Sequence, residues 1–123
     1  MARARLDRFP QRSGLEYDCF WTATHFFDGA SPPDSAADFP DNDGIARWVE
    51  RGYREVPMAE ARFGDLIALR ATDGRIAHTA NLVAGDVVFT KNGLVLTQPW
   101  VLARLADVSR LYPFTMPRAY RRR

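Results

Sequence analysis

The chain contains one cysteine, Cys19, and two histidines, His25 and His78. A thiol with an imidazole as its base is the minimum equipment for nucleophilic acyl transfer. Cys19 sits in the run YDCFWTATHFF, Tyr17 to Phe27. Asp18 is a good N-cap, and it predicts a helix over 18–27 that Gly29 ends. Cys19 then falls in the first turn, where exposed backbone N–H groups and the helix dipole favour thiolate. His25 follows six residues later, a rotation of about 240° on a helix, so it points away from Cys19 and suits a helix-end carbonyl better. His78 lies far along the chain in a predicted strand, so only the fold can bring it to Cys19. The competing reading makes Cys19 a small apolar core residue and His78 a core-edge histidine bonded to a backbone carbonyl.

The elements that must position this pair read as follows. Residues 29–44, GASPPDSAADFPDNDG, form a long Pro-, Asp- and Ser-rich loop, either a cleft rim or a flexible insertion. A second helix runs through DNDGIARWVERGY, capped by Asp41 or Asp43 and closed by Gly52, with Ile45, Trp48 and Val49 on one face. Strands follow: GDLIALR from Gly64, IAHTANLVA over 76–84, and VVFT over 87–90. Asp73-Gly74, Gly85-Asp86 and Asn92-Gly93 supply tight turns, giving an antiparallel meander. QPWVLARLADVSRLY then predicts a C-terminal helix, with Pro99 in its first turn and Trp100, Leu102, Leu105, Val108 and Leu111 as its stripe. Trp21, Trp48 and Trp100 all read as core. The layout is α+β, with N-terminal helices packed on an antiparallel sheet.

The order of these pieces carries a resemblance. Asp18-Cys19 opening a helix, then GDLIAL, then RIAHTANLVAGDVVF, looks like the NlpC/P60 branch of the papain-like cysteine hydrolases, from Tyr17 to Asn92. The resemblance implies a small papain-like domain with Cys19 as nucleophile and His78 as base. It places Asp18 beside the nucleophile and makes Tyr17 a candidate on the oxyanion side. The third residue, which orients the imidazole, is implied on the strand after the histidine, in DVVFTKNG. Thr90 and Asn92 are its candidates, with Lys91 between them. Asn92 is favoured, although Asn92-Gly93 is equally a turn dipeptide. The family usually has a small Ser or Thr and then Gly after Asp-Cys; here Phe20 and Trp21 stand there. The implied activity is a cysteine peptidase or amidase with no cofactor, acting on peptide or protein substrates, bacterial cell-wall peptides by default. Acyl transfer to another amine is also open. The alternative is a non-enzymatic protein-interaction module on the same scaffold, docking through its aromatic first helix or its basic ends.

Composition fits one domain over residues 1–123, at 46% hydrophobic and 26% charged. A lone cysteine makes no internal disulfide. No apolar run approaches the roughly 20 residues of a membrane span. The basic start has no apolar segment behind it, so no secretory signal is visible, and the expectation is a cytoplasmic protein or one exported by a non-classical route. Residues 1–13 carry +3 and residues 118–123 carry +4, which leaves −5 for the middle. These ends read as solvated, dispensable basic tails. A nucleic-acid binder would add stacking aromatics or a known motif, and none is present. Paired metal-ligand spacing, a calcium-loop register and nucleotide-binding glycine motifs are also missing.

Overall fold

The computed structural model describes residues 19–24, 26, 42–91 and 100–123. Tyr17, Asp18, His25, Asn92, Pro99, the N-terminal basic segment 1–13 and loop residues 29–41 lie outside the described residues, as do the side chains of Trp21 and Trp100. The elements are α1 (Cys19–Thr24), α2 (Asn42–Gly52), β1 (Tyr53–Val56), β2 (Leu66–Ala71), β3 (Ile76–Ala84), β4 (Val87–Lys91), β5 (Trp100–Arg104), α3 (Leu105–Arg110) and β6 (Thr115–Arg122). A single 3-10 turn, Met58–Glu60, joins β1 to β2. The strands form one antiparallel sheet in the order β1-β6-β2-β3-β4-β5. This is a mixed α+β arrangement.

Side chains on a strand alternate between faces, and both faces of this sheet are covered at its centre. That is why β2 reads as a continuous apolar run: Leu66, Ile67, Ala68 and Leu69 are all buried. Leu66 and Ala68 join Ile76 and Tyr120 beneath Phe20 and Ala23 of α1 and Ile45 and Val49 of α2. Ile67 and Leu69 join Ala80, Val88 and Ala119 beneath Val108 of α3. The helical spacing of Ile45 and Val49 thus does what the sequence predicts, and Trp48 packs beside them with its ring 4.8 Å from that of Tyr53. Asn42 at the start of α2 donates to the Ile76 carbonyl at 2.6 Å and ties that helix to the first residue of β3.

The meander forms as its turn residues require. Gly74 has φ +86° in the β2–β3 turn, and Gly85 has φ +57° in the β3–β4 turn, backbone that a β-carbon disfavours. Asp73 accepts from the Arg75 N–H at 2.9 Å and closes the first of them. A bulge between Leu69 and Arg70 changes the β2–β3 register, pairing Leu69 with His78 and Arg70 with Ile76. Ile76 therefore turns to the α1–α2 face, although His78, Ala80 and the rest of its alternate set face α3.

The C-terminal third departs from the sequence expectation. The predicted helix over 98–112 is instead β5 followed by the short α3, and the chain closes on a strand rather than a helix. Among the described side chains of the expected stripe, only Val108 is fully buried; Leu102 and Leu111 are both 61% exposed. The open edge of β4 supplies the reason. Its backbone groups need partners, and β5 provides them by pairing Val87–Lys91 with Trp100–Arg104.

Residues 118–123 are likewise not a tail. β6 lies inside the sheet between β1 and β2, with Ala119 and Tyr120 buried. Its arginines are placed by long-range partners. Arg121 makes a two-pronged bond to buried Asp65 at 3.0 and 2.8 Å. Arg118 reaches Glu55, and Arg123 donates to the Tyr53 carbonyl. Pro117 is tolerated because β1 pairs with β6 only from Ala119 onward, so its missing N–H faces no strand on that side.

Candidate active site

The two-residue turn at Gly85-Asp86 pairs Ala84 with Val87, and a bulge between Leu82 and Ala84 then shifts the β3–β4 register. Leu82 opposes Val88 and Asn81 opposes Phe89. Thr90 then lies diagonally across from His78 on the α3 face, within side-chain reach. Thr90 Oγ1 stands 2.8 Å from His78 Nε2 and also donates to the Thr79 carbonyl at 2.8 Å. A hydroxyl carries one proton, and the carbonyl takes it, so Thr90 accepts from the imidazole. That assigns the proton to Nε2 and leaves Nδ1 as a bare acceptor. Nδ1 is buried and has no hydrogen-bond partner among the described residues. Leaving such an acceptor unsatisfied costs about 1–3 kcal/mol. Evolution usually removes that cost unless the nitrogen is used.

His78 itself is 1% exposed. Tyr112, in the turn after α3, stacks on its ring with centroids 4.3 Å apart and planes 23° from parallel. Burial lowers the imidazole pKa from 6.5 to about 4, so the ring is neutral at pH 7. A standing thiolate–imidazolium pair therefore has little support here. A neutral base that takes the thiol proton as attack proceeds fits better.

Cys19 opens α1 and is partly buried against the Phe20 cluster. Its carbonyl accepts a 2.8 Å bond from the hydroxyl of Thr79, the residue next to His78 on β3. Thr79 faces α1 and His78 faces Tyr112, because neighbouring strand residues alternate. Tyr112 links the two sides electrostatically. Its hydroxyl pKa is raised to about 12, first by burial and then electrostatically by Cys19.

Of the sequence candidates, His78 and Thr90 meet directly, and Cys19 is anchored to the adjacent residue of the same strand. Lys91 alternates with Thr90 and is buried on the α1 face, away from the imidazole. Asn92, favoured as the orienting residue, is outside the described residues, as are Tyr17 and Asp18; Thr90 occupies Nε2. Two contributors escaped sequence reasoning: Thr79, which holds the Cys19 backbone, and Tyr112. The first could have been found as the hydroxyl beside the histidine. The second carried no local signal. Asn81 also has both side-chain ends buried without partners among the described residues, on the α1 face.

Among the described residues, no group of three or more His, Cys, Asp or Glu comes together as a metal site. Among them too, no helix is long and apolar enough to cross a membrane. Compared with known protein families, with curated proteins and with solved structures, the chain finds no match.

Proposed function

We propose that this chain is a cysteine hydrolase or acyltransferase of papain-like, NlpC/P60-related type that acts on an amide bond. The observation that carries the reading is the state of His78: Nε2 held by Thr90, Nδ1 bare, buried and without a partner. An imidazole so arranged is an oriented base, and the residue next to it on β3 holds the nucleophile's backbone. In the proposed reaction the Cys19 sulfur attacks the substrate carbonyl and its proton passes to Nδ1. The imidazolium keeps its Nε2–H on Thr90. The tetrahedral oxyanion takes hydrogen bonds from the backbone N–H at the start of α1. Collapse breaks the C–N bond, and the Nδ1 proton leaves on the amine. Water, or a second amine, then attacks the thioester, its proton going to Nδ1, and releases the acyl group with the thiol restored. Cell-wall peptides are the default substrate through the resemblance, with side-chain amides or isopeptides of proteins next.

Turnover of fluorogenic peptide amides and purified muropeptides tests this reading. Release of amine by the wild type, lost on the order of 1000-fold in Cys19→Ala and His78→Ala, supports it. Equal background rates in all three proteins across the panel count against it.

One observation favours the second reading, a non-enzymatic interaction module. Leu111, Phe114 and Met116 stand exposed around the α3–β6 turn, Phe114 at 88% and in the left-handed region at φ 63°. A bulky apolar side chain held there at a backbone cost is more at home on a docking surface than on a free one.

A further inference from the structure

We infer that Tyr112 is a positioning residue: its ring fixes the plane of the His78 imidazole and keeps water from Nδ1. This deepens the proposed function and rests on it for its catalytic meaning. Hydrogen bonds hold an imidazole only at its nitrogens. With Nε2 on Thr90 and Nδ1 without a partner, the ring has one polar anchor and remains able to swing about that contact. A second restraint must act on its face. Tyr112 supplies it by stacking at 4.3 Å, nearly parallel.

Tyr112 is itself held at both ends of its peptide unit. Its N–H donates to the Ser109 carbonyl at 3.1 Å, and its own carbonyl accepts from the Thr115 hydroxyl at 2.7 Å. The phenol is thus carried on a fixed turn rather than a loose loop. The imidazole lies between the hydroxyl of β4 at one nitrogen and this ring on its face. Among the described residues two groups face it, Tyr112 from the α3–β6 turn and Thr90 from β4, and burial is what lowers its pKa. The hydroxyl of Tyr112 keeps its proton throughout the neutral range, so the ring stays uncharged against the imidazole.

The ring, not the hydroxyl, carries the effect, and two substitutions separate them. In Tyr112→Phe the stack survives; in Tyr112→Leu it does not. Imidazole NMR titration should show His78 rising by one pH unit or more in Tyr112→Leu and staying within a few tenths of the wild type in Tyr112→Phe. Alkylation of Cys19 by iodoacetamide at pH 7 should slow about fivefold in Tyr112→Leu and recover in Tyr112→Phe. Far-UV and near-UV circular dichroism of both variants separates loss of fold from loss of position. An unchanged His78 titration in folded Tyr112→Leu overturns the inference, and so does a shift of equal size in Tyr112→Phe. If His78→Ala alkylates as fast as wild type, the proposed function fails, but the titration arm still decides the role of Tyr112.

Discussion

The β2–β3–β4 meander and the β5–α3–β6 segment are built of similar material yet were not equally open to prediction. Both are antiparallel strands with short connections and a mixture of apolar and basic residues. In the meander every strand pairs with its neighbour in sequence, and Gly74 and Gly85 mark the reversals. In the C-terminal segment β6 pairs with β1 and β2, more than forty residues away, and β5 depends on the free edge of β4. Local signals therefore specify the first region, and tertiary partners specify the second. The candidate site spans both. The meander supplies His78 and Thr90, and the C-terminal segment closes over them with Tyr112.

The largest effect should come from removing part of the second region. Deleting 118–123 takes away most of a strand lying inside the sheet, two core residues and the bidentate Arg121–Asp65 pair. Asp65 is then left buried without its cation. The truncated chain should lose its cooperative thermal transition, measured by calorimetry. A melt near that of the intact chain would return these arginines to the status of a tail.

A smaller effect should appear in the meander on acidification. His78 titrates near 4 when folded and near 6.5 when unfolded, so the unfolded chain binds the extra proton between those values. Its contribution to stability is fully present above about pH 6.5 and is lost as pH falls toward 4, by on the order of 3 kcal/mol. Urea unfolding across this window should show a slope that His78→Gln flattens. Parallel slopes in the two proteins would mean that the imidazole is not buried neutral.

Thr90 should follow in size. Thr90→Val removes the acceptor for His78 Nε2 and the donor to the Thr79 carbonyl together, leaving two buried groups unsatisfied. The expected loss is about 2 kcal/mol in equilibrium unfolding, with Thr90→Ser recovering most of it. Equivalence of Val and Ser would show that shape alone matters there. The smallest effect belongs to the exposed Arg104–Asp86 pair, which joins the two regions with both side chains more than half in solvent. Asp86→Asn should change stability by less than about 1 kcal/mol. A larger change would make that contact part of what docks β5 onto the meander.

Legibility tracked the range of the interactions. The limits of β3 are those the apolar run and its flanking turns predict, and β4 ends one residue later than predicted. Tyr53–Val56 went unrecognised as a strand because four residues after a helix-ending glycine carry no alternation until β6 lies beside them. Pro117 and the clustered arginines argue locally against a strand in β6; only Glu55, Asp65 and the Tyr53 carbonyl make sense of those charges. In the site, His78 was readable as a strand-borne histidine, whereas Thr90 was named only through the resemblance and behind Asn92, because the bulge between Leu82 and Ala84 that turns Thr90 to the His78 face carries no local signal. Tyr112 was not readable, since it reads as the last residue of a longer helix and reaches His78 only after α3 ends and the chain turns into β6.

The central claim is that His78 serves Cys19 as its base. Second-order rates of Cys19 alkylation by iodoacetamide at pH 7, in the wild type and in His78→Ala, test it most directly. With folding verified in both, the variant should react at least about tenfold more slowly, because the proposed base is gone. Equal rates, matching those of an ordinary thiol, would contradict the account and leave His78 as a buried histidine that happens to carry a bare nitrogen.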